Sequence, residues 1–105
     1  MVALVENARE ALADLCRKYQ VSRLDLIGSA TRQDFNPAPP PHGSDIDFVV
    51  EFADLSHDAA NRYLGLMVDL EDLMGRPIDL VSYTGIRNPI FKEMVDRTRV
   101  CLYAA

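Results

Sequence analysis

The stretch that most constrains this chain is Ser44-Asp45-Ile46-Asp47-Phe48-Val49-Val50, in which acidic and apolar residues alternate before the run turns fully apolar. Side chains of a strand repeat every two residues. Asp45 and Asp47 therefore share one face, while Ile46, Phe48, Val50 and Phe52 share the other. The apolar set belongs to the core, which leaves the acids on a face that reaches water. Two carboxylates this close repel by about 4 kcal/mol at 4 Å and a near-surface effective dielectric. They must be solvated, share a proton or hold a cation. A hard divalent ion in the company of phosphate is the natural partner.

Upstream, Leu26-Ile27-Gly28-Ser29 reads as a strand that turns sharply into a helix start, where bare backbone N–H groups suit phosphate and Ser29 adds a hydroxyl. Between the two stretches, Asn36-Pro37 breaks a short turn over Ala30 to Gln33, and Ala38 to Gly43 carries three consecutive prolines. That segment is expected to be stiff and extended, setting the distance between the turn and the acidic strand or offering a contact surface. No Gly-Lys-Ser/Thr follows Gly28, which excludes a P-loop, and no Gly-x-Gly-x-x-Gly exists for a dinucleotide fold.

The remaining elements follow from periodicity. Leu4, Ala8, Ala11, Leu12, Leu15 and Tyr19 predict one amphipathic helix from about 2 to 19, and Arg23 to Ile27 the first strand. Ser56 to Asp58 offers N-cap residues, with His57 part of the helix start, for a helix that runs to Met74 and is closed by Gly75 and Pro77. Its apolar residues, from Tyr63 and Leu64 to Leu73 and Met74, cover roughly 220° at 100° per residue. A small core wrapped around the helix, or another chain on part of it, accounts for that breadth. Pro77 to Val81 is a strand, Asn88-Pro89 starts a helix to about Arg97, and Arg99 to Tyr103 is the last strand. Asp79, flanked by Ile78 and Leu80, also faces away from the core. If its strand pairs beside that of Asp45 and Asp47, a third acid joins them and a two-metal site results, of the kind that drives in-line displacement at phosphorus.

At 105 residues, the chain is expected to be a single domain, 1–105. No stretch approaches the length of a membrane span and no signal peptide is evident, so a cytoplasmic protein is expected. The net charge of −5 opposes direct binding to nucleic acid. Cys16 and Cys101 lie on apolar faces and are expected to be buried, reduced thiols.

Gly28-Ser29, a spacer, Ser44-Asp45-Ile46-Asp47 and then Asp79 together resemble the nucleotidyltransferase signature of the DNA polymerase β superfamily. Over essentially the whole chain, including Asp34-Phe35-Asn36-Pro37 and the Asn88-Pro89 helix, the sequence looks like the minimal nucleotidyltransferases, the MNT-type antitoxins of HEPN/MNT toxin-antitoxin modules. The resemblance implies an α/β (α+β) fold, a mixed β-sheet with helices packed on one face. It also implies a site for ATP and two Mg2+ ions, and transfer of AMP to a hydroxyl with loss of pyrophosphate. The implied acceptor is a tyrosine of a HEPN-type RNase toxin, which would make the protein a hetero-oligomeric antitoxin. Asp45, Asp47 and Asp79 would be catalytic and metal-binding, with Gly28, Ser29, Arg32 and Ser44 on the nucleotide. Arg87, Lys92 and His42 are weaker candidates for phosphate. Gln33 stands where the family often has a second glycine, and the proline-rich spacer is several residues longer than usual. The alternative is a non-catalytic module that neutralises its partner by occlusion; transfer to a small molecule ranks below both. The apolar face of the 59–74 helix, at Leu64 and Leu66, is the expected docking surface, with Met67 and Leu70 assigned to the core.

Overall fold

A computed structural model describes residues 1–55 and 58–105. In chain order it contains α1 (Ala3–Glu6), α2 (Arg9–Lys18), β1 (Val21–Ile27), a 3-10 turn (Gly28–Thr31), β2 (Ile46–Phe52) and α3 (Ala59–Met74). There follow β3 (Ile78–Ser82), a second 3-10 turn (Tyr83–Gly85), α4 (Pro89–Thr98) and β4 (Val100–Ala104). The strands form one mixed sheet in the order β3-β2-β1-β4. β2 and β3 run parallel, and β1 is antiparallel to both β2 and β4. No helix among the described residues is long and apolar enough to cross a membrane.

Strand parity sorts the core as the sequence implies. Leu24, Leu26, Ile46, Phe48, Val50 and Leu80 point to one face and meet Val5, Leu12 and Cys16 from α1 and α2, and Leu66, Leu70 and Met74 from α3. Each large aliphatic buried here contributes about 1.5–3 kcal/mol, so this cluster dominates the fold. The expected layer of helices on one face holds for α1 to α3. The fourth helix lies on the opposite face, where Val95, Phe91 and Met94 pack on Ile27, Val49 and Val81. It covers one end of the acid-bearing face and leaves the other end open.

Several local expectations change. The first helix is broken at Asn7 and Ala8, where the Ala8 N–H reaches only back to the Val5 carbonyl and tightens the last turn of α1. The turn after Gly28 is a single 3-10 turn, too short to carry a helix dipole. The proline-rich segment does not hold its ends apart. Ser44 N–H donates to the Asn36 carbonyl at 2.9 Å, Asn36 N–H donates to Ser44 Oγ at 2.9 Å, and Asn36 Nδ2 donates to the His42 carbonyl at 3.0 Å, so the segment is a closed loop. Cys101 is exposed rather than buried, because β4 is an edge strand and Cys101 pairs with Asp25, on the face away from the main core. Buried Cys16 matches the expectation, and burial pushes its thiol up to about 12. Ser56 and His57, read from the sequence as part of a helix start, lie outside the described residues. At the other end of α3, Gly75 adopts the left-handed conformation and its N–H donates to the Glu71 carbonyl.

Candidate active site

The site is assembled by register. Ile27 pairs with Asp47 across β1 and β2, and Asp47 pairs with Asp79 across β2 and β3. Neighbouring strands stand about 4.8 Å apart, so the two acids are adjacent on one face, one step from the Gly28 turn. Gly28 has φ +76°, a left-handed conformation, and a methyl at its Cα would collide with Asp47 Oδ2. Glycine is required there for the backbone to pass against the carboxylate. Thr31 Oγ1 donates to the Gly28 carbonyl at 2.7 Å and Arg32 N–H to the Ser29 carbonyl at 2.9 Å, which hold the turn closed.

Asp47 is half-buried, and its carboxyl is held above the ordinary range, first by burial and then by the charges of Asp79 and Asp45. Asp45 lies one residue before β2 and is exposed. All three donors offer oxygen only, which suits a hard divalent cation, and their mutual repulsion is what such a cation relieves. Donor chemistry and charge therefore fit magnesium. Among the described residues the side chains are not drawn into a closed set of three or more ligands.

The other nominated residues are engaged elsewhere. Arg32 pairs with Asp34 through Nε and Nη2 at 3.1 and 3.2 Å, lowering the Asp34 carboxyl. Both side chains are exposed, so water screens the pair and it can be exchanged for a phosphate at little cost. Ser44 uses its N–H and Oγ to close the loop. His42 is exposed on that loop, and Lys92 lies 5.5 Å from the centre of the Tyr83 ring. Arg87 lines an open cleft of about 500 Å³ with Val81, Ser82, Ile86 and Phe91. The cleft begins at Val81, two residues along β3 from Asp79 and on the same face.

Three features escape sequence reasoning. The cleft joins residues of β3, the second 3-10 turn and α4, a tertiary fact without a local signal. Tyr63 of α3 donates its hydroxyl to the Leu80 carbonyl on edge strand β3, and its phenol is raised by burial and by Asp79. Arg76, in the Gly75-Arg76-Pro77 corner, donates to three loop carbonyls.

A mixed sheet that sets paired acids beside a glycine turn defines the nucleotidyltransferase class of fold. The chain belongs to the family described as polymerase beta, nucleotidyltransferase, which matches residues 10–105. A protein of Methanocaldococcus jannaschii that carries the provisional name of protein adenylyltransferase is 33% identical over 79 residues, 75% of this chain and 74% of the relative. The solved structure of a provisionally named minimal nucleotidyltransferase superposes with a TM-score of 0.71 at 29% identity, covering 90% of this chain and 89% of that one. The MNT antitoxin in complex with the tri-AMPylated HEPN toxin of Shewanella oneidensis shares the fold, with a TM-score of 0.65 at 18% identity over 96% of this chain and 73% of that one.

Proposed function

We propose that this chain is a protein adenylyltransferase acting as an antitoxin, which moves AMP from ATP to a tyrosine hydroxyl of a HEPN-type toxin and releases pyrophosphate. The observation that carries the reading is the row formed by the Gly28 turn, Asp47 and Asp79 on the open end of the sheet face. The name of the archaeal relative and the AMPylated toxin beside the Shewanella antitoxin support it.

In this reading Asp45, Asp47 and Asp79 would together hold a pair of magnesium ions. Bound ions of this kind lower the pKa of an attacking hydroxyl and stabilise the oxygen that departs. The backbone N–H groups and hydroxyl of the Gly28-Ser29 turn bind the β- and γ-phosphates. Arg32 joins them by leaving Asp34, and Ser44 by turning its hydroxyl proton toward the nucleotide. Asp79 lies on edge strand β3, the strand furthest from the phosphate turn, and in this reading it would face the incoming acceptor hydroxyl. Its carboxylate oxygen takes the acceptor proton.

Neutralisation by occlusion alone is the second reading, favoured by the open arrangement of the three acids and by the engagement of Ser44 within the loop. One experiment separates the two. The pure protein is incubated with ATP, magnesium and the product of the neighbouring reading frame, and both proteins are weighed. Transfer adds the mass of AMP to the partner; a stable complex without added mass supports occlusion and overturns transfer.

A further inference from the structure

Asp45 precedes β2 and takes no part in the ladder, yet the backbone on both sides of it is tied to one corner of the fold. Arg76 Nη1 donates to the Ser44 carbonyl at 2.9 Å, on the peptide that leads into Asp45. On the far side, Ile46 N–H donates to the Pro77 carbonyl at 3.4 Å. Residues 76 and 77 run directly into Ile78 and Asp79, so the corner that carries Asp79 also fixes the main chain of Asp45. The same guanidinium reaches further into the loop, to the Asn36 carbonyl at 3.3 Å through Nη1 and the Pro37 carbonyl at 3.0 Å through Nη2, and it lies 5.0 Å from the centre of the Phe35 ring.

Arg76 makes no ion pair among the described residues, and its partners are three carbonyls and an aromatic face. A planar fork with several fixed donors can bridge separate carbonyls in a way that a lysine cannot. Gly43 makes room for it: a methyl there would come within 2.9 Å of Arg76 Nη1 and collide with the Ala38 carbonyl.

We propose that Arg76 is a positioning residue that sets Asp45 against Asp79, and thereby sets how tightly the acidic centre binds its divalent cation. The inference rests on the reading of Asp45, Asp47 and Asp79 as a cation-holding centre. Positioning of this kind is worth a great deal, since a displacement of about 1 Å can cost roughly 100-fold in rate.

The test compares wild type with Arg76→Met, which keeps a long unbranched side chain but no donors, and Arg76→Lys. Hydrogen exchange needs no activity. In Arg76→Met the amides of Ser44 and Ile46 should lose at least tenfold protection while those of Leu24 and Phe48, in the sheet interior, keep theirs; unchanged protection at Ser44 and Ile46 overturns the clasp. Direct titration with Mn2+ in the presence of ATP should show about tenfold weaker binding for Arg76→Met and an intermediate value for Arg76→Lys. Loss of folded protein would lower the number of sites without changing the affinity, so wild-type affinity in a loosened loop overturns the positioning role. If wild type binds Mn2+ but transfers no AMP, the proposed transfer fails while this inference stands or falls on the titration. If wild type binds no Mn2+, the inference is overturned.

Discussion

Asp47 is the register partner of Asp79 across the parallel pairing of β2 and β3, and that adjacency places like charges side by side on a half-buried surface. The folded state therefore holds the Asp47 proton more tightly than the unfolded state does. A raised carboxyl contributes stability that is fully present below its ordinary value of 3.8 and is lost as pH rises through the raised value.

Asp47→Asn removes that penalty and a cation ligand together. Without metal, the variant is expected to melt within a degree or so of wild type at about pH 3 and above it at about pH 7. Transfer should be abolished. Melting curves at both pH values and a transfer assay check the two halves. A variant that unfolds, or that transfers at the wild-type rate, contradicts the assigned role.

Two left-handed glycines provide an internal control on the phosphate turn. Gly75, at φ +67°, has open space where a Cβ would stand, whereas Gly28 at φ +76° is blocked by Asp47. Gly75→Ala should cost about 1–2 kcal/mol from the backbone alone and keep activity. Gly28→Ala should cost more, because Asp47 must move as well, and should lose transfer out of proportion to its stability. Denaturant titration and initial rates on both variants test the comparison. Equal residual activity in the two would remove Gly28 from the site.

Asp47, Asp79 and the glycine turn were legible in the sequence because their positions follow from strand parity and from one local turn, whereas Asp45, read onto the same strand as Asp47, lies one residue before it. Parity alone also marks Asp25 as a solvated strand residue, and here it misleads. Asp25 is wholly buried, on the same face as Asp47, because α4 packs on that face of the sheet and the Arg99 side chain reaches over to it. The loop could not be read for a similar reason. Three prolines specify stiffness, but its closure depends on Asn36 meeting Ser44 and on Arg76 reaching across from a residue far along the chain. What the sequence encodes locally was readable; what two distant segments build together was not.

Asp25 accepts from Arg23 Nε at 2.9 and 3.0 Å and pairs with Arg99 Nη1 at 3.3 Å, and Arg99 in turn lies 3.3 Å from Glu51. Removing the buried carboxylate leaves two guanidinium groups short of a partner. Breaking a buried pair in this way costs about 3–5 kcal/mol. Asp25→Ala should fall near the lower end, since Arg23 is partly exposed and Arg99 keeps Glu51. Denaturant unfolding measures it. A loss under about 1 kcal/mol would mean that the arginines find water as readily as they find Asp25.

The structure separates two leucines of α3 that the sequence placed on one docking surface. Leu66 is fully buried against the sheet, whereas Leu64 is 54% exposed and Val68, one turn on, is 58% exposed. A charge at position 66 would sit in the core without a partner, so Leu66→Asp should unfold the protein rather than probe an interface. A charge at position 64 enters water. Leu64→Asp and Val68→Asp are therefore expected to melt within a few degrees of wild type, and they are the variants that can report on docking. A stable complex needs an apolar centre, and Leu64 and Val68 are neighbours on the outer face of α3 at i, i+4 spacing. Docking on this face predicts that both variants lose co-purification with the partner while still binding ATP and Mn2+. Retention of the partner at wild-type yield would exclude this face and leave the closed loop from Asn36 to Ser44, and the Arg87 cleft with Ile90 at 79% exposure beside it, as the surfaces to charge next.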